Sequence, residues 1–127
     1  MGNVTMKNLD FLCMQAAQAM VAGAGEKTAK ENLATKALGV LLQNGPYGMV
    51  LYLQVQKKDK QIASEYRKQL LALIRHAGVD PLPPDNDNNQ IVRWLQKAAA
   101  NLDTYLFIKR LWQQALTYAR YHAKAIE

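Results

Sequence analysis

Chemistry-bearing residues are scarce in this chain. Cys13 is the only thiol in 127 residues, which excludes an internal disulfide and points to a reducing, cytoplasmic setting. His76 and His122 are the only histidines, and neither has a second histidine or cysteine three or four residues away, so no metal site is expected on one helix face. Carboxylates are dispersed; the close pair Asp85 and Asp87 lies in a turn-rich stretch that explains it. No phosphate-cradling Walker loop, no Gly-x-Gly-x-x-Gly and no nucleophile elbow occur. These absences argue against an enzyme: no catalytic residue, no metal ligand and no cofactor are expected. The apolar stretch from Phe11 to Gly25 is interrupted by Gln15 and Gln18, has little basic character before it and falls short of a membrane-spanning length. Neither a signal peptide, a membrane anchor nor a membrane partner is expected.

What is present is apolar, helical in spacing and basic. Half of the residues are hydrophobic, enough for one core but not two, so residues 1–127 are read as a single domain. The expected fold class is all-α, a single compact bundle of about five to six helices. Residues Val4 to Ala22 form the first, with Leu9, Leu12, Cys13, Ala16 and Met20 at helical spacing; Met6, Met14 and Met20 are read as core filling rather than an exposed stripe. The second runs from about Glu26 to Gln43, where Asn44 and Gly45 stop it and Pro46 opens a third, Tyr47 to about Lys57. Asp59 is placed to cap a fourth, Lys60 to Ala77, closed by Gly78. Three prolines, Pro81, Pro83 and Pro84, make residues 78–89 a loop, the expected mobile segment, before a fifth helix from about Asn88 to Ala100.

The closing stretch, Asp103 to Glu127, carries the strongest pattern. Tyr105, Phe107, Ile108, Leu111, Trp112, Ala115, Leu116, Tyr118, Ala119, Ala123 and Ile126 make one apolar side; Lys109, Arg110, Gln113, Thr117, Arg120 and Lys124 make the other. Asp103 is the expected N-cap, with Leu102 closing on Phe107 as a hydrophobic staple. No carboxylate lies between Asp103 and Glu127, so the polar side is uncompensated positive charge. With 16 Lys and Arg against 10 Asp and Glu, the net charge of +6 fits a polyanion partner. Lys109, Arg110, Arg120 and Lys124 are therefore the first candidate phosphate contacts. Lys57, Lys58, Lys60, Arg67 and Lys68 are the second; an ordinary solvated face is the competing reading of that stripe. Nothing resembles a recognition helix or an RNA-clamping loop, so binding is expected to be backbone-directed and indifferent to base sequence. Tyr121, at the edge of the stripe, is read either as a base-stacking ring or as cover for the core.

Two stretches carry a family resemblance. Leu38 to Leu53, a helix ending in Gln43, Asn44 and Gly45 and followed by a second apolar helix, is one; the closing pattern Ala115, Leu116, Tyr118, Ala119, Arg120, Tyr121, Ala123, Lys124 and Ala125 is the other. Together with size, helical character and charge, they resemble the small-subunit (Cmr) family of type III-B CRISPR effector complexes. Pro46, Tyr47 and Gly48 depart from that family's plain Asn-Gly-Leu junction, which keeps the small subunit of another type III complex open. The resemblance implies a non-catalytic subunit whose copies stack as a filament beside guide RNA and target RNA. Its implied partners are those RNAs through their backbones, other copies of itself, and the backbone and large palm-domain subunits of the complex. A purely protein-protein helical scaffold is the alternative.

Overall fold

The computed structural model describes residues 8–85 and 87–126. Five α-helices follow one another: α1 (Leu9–Ala22), α2 (Lys27–Gln54), α3 (Lys60–Ala77), α4 (Asn88–Ala99) and α5 (Leu102–Ala125). Among the described residues there is no strand, and buried side chains from all five helices form one hydrophobic cluster. The fold is all-α, as the periodicity predicts.

The predicted second and third helices are both present within α2, separated where predicted by a sharp kink at Gly45. Gly45 takes φ 80° and ψ −178°, a conformation that interrupts the helix and that a residue with Cβ rarely adopts. Pro46 follows as the first residue of the new segment, where its missing N–H has no partner to lose. The next orphan donor, Tyr47 N–H, is taken by the Tyr105 hydroxyl at 3.1 Å. Beyond the kink the chain returns toward the first half of α2: Gln56, Lys58 and Lys60 line the same groove as Thr28, Asn32 and Lys36. A straight helix would hold Lys36 and Gln56 about 30 Å apart.

The first half of α2 runs antiparallel to α5, with Glu31 facing Lys124 and the Gly45 kink facing Tyr105. The interior of α5 is Ile108, Leu111, Trp112, Ala115, Leu116, Ala119 and Ala123, all buried. Trp112 is 1% exposed; its indole N–H donates to the Leu70 carbonyl of α3 at 3.0 Å, and its ring lies 6.3 Å from that of Trp94. Truncating a side chain buried this way costs about 3–5 kcal/mol, and the Leu70 bond ties α5 to α3.

Helix ends follow local chemistry, with some corrections. Asn8 caps α1 by accepting from Phe11 N–H at 3.0 Å, so the helix begins at Leu9; the predicted start at Val4, and Met6 with it, lies outside the described residues. Met20 fills the core as expected, whereas Met14 is exposed. Gly78 closes α3 as predicted: it is left-handed at φ 76°, its N–H reaches Arg75 O, and Val79 N–H reaches Ile74 O while its side chain is buried. Asp59 sits at the N-cap of α3, but its side chain makes no capping bond. The predicted cap of α5 is wrong by two residues. Asn101 caps it, accepting from Thr104 N–H at 3.3 Å, and Asp103 falls inside the first turn. Leu102 is thereby turned out to 65% exposure instead of stapling to Phe107. Ile126 lies beyond the helix end and is exposed rather than inward; Glu127 is outside the described residues.

Lys30 is buried, and its spacing alone hides why. Its ammonium, carried by α2, donates to the Val21 carbonyl at 2.8 Å and to the Gly23 carbonyl, the unsatisfied end of α1. The Tyr66 hydroxyl donates to Lys30 O at 2.7 Å, joining α3 to the same node. Gly25, at φ 120°, completes it: a Cβ there would meet Ile62 Cδ1 at 2.8 Å.

The connection from α3 to α4, expected to be mobile, is tethered from both sides. Pro81 O accepts from the Trp94 indole N–H at 2.8 Å, and the Arg75 guanidinium donates to Pro84 O at 3.0 Å. Asp87 then caps α4 by accepting from Gln90 N–H at 3.1 Å.

Candidate nucleic-acid interface

Because α5 commits one side to the core, its other side is fixed in space. At 100° per residue, Lys109, Arg110, Gln113, Thr117, Arg120 and Lys124 occupy an arc of about 100°, and Lys109 stands about 22 Å from Lys124 along the axis. Arg110 and Lys124 are exposed; Lys109 and Arg120 are half-buried. Among the described residues, Lys109, Arg110 and Arg120 have no carboxylate within ion-pair distance, and Lys124 has only Glu31 at 3.8 Å. That contact is long and its lysine end is half open to water, so it holds Lys124 weakly.

The C-terminal half of this face has a defined local arrangement. The Arg120 guanidinium carbon lies 6.0 Å from the centroid of the Tyr121 ring, and Tyr121 is 59% exposed. Arg120 Nε is enclosed, with no hydrogen-bond partner among the described residues. Tyr121 does not cover the core, which settles one of its two sequence readings.

The N-terminal half is different. Leu102 and Leu106, 65% and 49% exposed, fall on the same arc as the cations, and Asp103, Leu106, Phe107, Lys109, Arg110 and Gln113 line a shallow open hollow. Their outward placement was available from the same helical wheel that groups the lysines and arginines. The outward face of α5 is thus greasy at one end and cationic along the rest.

The second candidate set is divided. Lys57, Lys58 and Lys60 are exposed at the turn between α2 and α3, and Lys58 and Lys60 share their groove with Lys36, Glu26 and Asp59. Lys36 escaped sequence reasoning because it joins this group only through the fold-back at Gly45. Lys68 is exposed farther along α3, beside Arg75, Pro84 and Asp85. Arg67 is half-buried against the core wall with Val50, Leu53, Leu70 and Trp112, and desolvation lowers its pKa.

Elsewhere, burial pushes the Cys13 thiol up to about 11, with Asp10 adding to the effect, and its Sγ faces Leu111 O at 3.6 Å. Asp10 also accepts from the Tyr118 hydroxyl at 2.6 Å, a bond that raises the Tyr118 pKa. Among the described residues, no three of His, Cys, Asp and Glu come together as a metal-holding group, and no helix is long and apolar enough to cross a membrane. Set against family models, curated proteins and solved structures, the chain matches none of them.

Proposed function

We propose that this chain is a non-catalytic small subunit of a CRISPR RNA-guided effector ribonucleoprotein of type III-B, whose copies lie along the groove holding guide RNA and target RNA. Its contribution to the RNA is a set of sequence-independent phosphate contacts. One observation carries this reading: a core-packed helix presents Lys109, Arg110 and Arg120 without carboxylate partners among the described residues, and Lys124 with only the half-buried Glu31 at 3.8 Å. A row of like charge repels itself, and phosphates that neutralise it release counterions, so the row gains most from a polyanion. Its position on the outside of one helix suits a phosphate backbone, since the deep major groove of an RNA duplex is closed to side chains. The resemblance of Leu38–Leu53 and of the 115–125 segment to the type III-B small subunits supplies the assembly.

A second reading, a protein-protein scaffold, is favoured by Leu102 and Leu106, which lie on the same face and bind no phosphate. The test is purification of the tagged chain from cells that carry the effector genes. Recovery of guide RNA together with the other effector subunits supports the proposal. Charge reversal by Arg120→Glu with Lys124→Glu is expected to remove RNA binding by the isolated chain. If those reversals leave RNA binding intact and abolish recovery of the protein partners, the scaffold is the correct reading.

A further inference from the structure

We infer that Tyr121, Arg120 and Lys124 form a docking site for one unpaired nucleotide, with the base on the exposed face of the Tyr121 ring and its phosphate on the two cations. This rests on the phosphate reading of α5 and narrows its ligand from any RNA backbone to a single strand. The aromatic side chains of α5 divide by task. Trp112 is buried and bonded to Leu70 O, Tyr105 accepts from Tyr47 N–H, and Phe107 and Tyr118 pack on the core. Tyr121 has no such work: it is 59% exposed and lies outside the hydrophobic cluster. Its neighbours are those a nucleotide requires. The Arg120 guanidinium carbon sits 6.0 Å from the ring centroid, and exposed Lys124 follows Tyr121 by three positions, about one turn along the helix. Single-stranded sites elsewhere combine these elements, a π-face for the base and cations tracking the backbone, whereas a duplex keeps its bases stacked and offers only phosphates.

The experiment uses the full chain, a labelled uridine strand of about 12 nucleotides and a hairpin duplex of matching length, with fluorescence anisotropy as readout. Tyr121→Ala is expected to weaken strand binding about five- to tenfold, the lower part of the range for loss of one stacked base. Tyr121→Phe keeps strand affinity, and all three proteins bind the hairpin alike. Equal strand affinity of Tyr121→Ala and the unaltered chain overturns this site while leaving the phosphate reading in place, as does equal weakening on strand and hairpin. A several-degree fall in the melting temperature of Tyr121→Ala also overturns it, because the ring would then serve the fold. Failure of the unaltered chain to bind either RNA overturns both readings.

Discussion

Removing Arg110 and Lys124 together separates electrostatic binding from every other kind. Both side chains are exposed, and neither holds the core, so Arg110→Gln with Lys124→Gln leaves the fold intact apart from the weak contact to Glu31. If Lys109, Arg110, Arg120 and Lys124 each neutralise one phosphate of a single strand, log K falls with log salt at a slope of about −2.8, or about 0.7 per phosphate. Raising monovalent salt from about 50 to 200 mM then weakens binding about 50-fold. With two contacts left the slope is about −1.4, and the same change in salt costs only about sevenfold. Anisotropy titrations at four or five salt concentrations measure both slopes. The double variant should therefore bind less tightly at low salt and converge on the unaltered chain at high salt. An unchanged slope refutes the assignment of these residues, and a slope near zero in the unaltered chain refutes electrostatic binding altogether.

Three further outcomes follow from the fold. Gly45→Ala forces a side chain into φ 80°, ψ −178° beside the Tyr105 hydroxyl, a conformation open essentially to glycine alone, so a loss of about 1–3 kcal/mol is expected in urea unfolding, with α2 and α5 loosening together in hydrogen exchange. Lys30→Met leaves the Val21 and Gly23 carbonyls without their ammonium, and a cost of about 1–3 kcal/mol should lower the melting temperature by several degrees. Cys13 has a folded pKa raised from 9.0 to about 11, so the unfolded thiol ionises first; the stability linked to it is complete below pH 9 and is lost as pH rises through 11. Cys13→Ala should show a smaller alkaline loss, and at pH 8 the native thiol should react with iodoacetamide only on unfolding.

Much of this architecture was legible because its signals are local. Gly78 announced the end of α3, and Ile62, Tyr66, Leu70, Leu73 and Ile74, which recur at helical spacing in the sequence, are all buried. The break at Gly45 was also visible, but not its angle, since a sequence shows that a helix stops without showing where the next segment points. Hence the grouping of Lys36 with Lys58 and Lys60 was hidden. The start of α5 was misread because two capping residues compete: Asn101 wins over Asp103, and the shift of two positions throws Leu102 outward. Lys30 was unreadable for a different reason, as its partners are carbonyls at the end of another helix rather than side chains. The cations of α5 could be grouped from spacing alone; only coordinates distinguish half-buried Lys109 and Arg120 from exposed Arg110 and Lys124.

The account depends on the outward side of α5 meeting RNA, and an amide chemical-shift map of the labelled chain titrated with a short RNA strand tests that directly. Perturbations are expected along Lys109, Arg110, Gln113, Thr117, Arg120, Tyr121 and Lys124, with the buried positions between them quiet. Shifts confined to the Lys57–Lys60 turn, or none at saturating RNA, would contradict it.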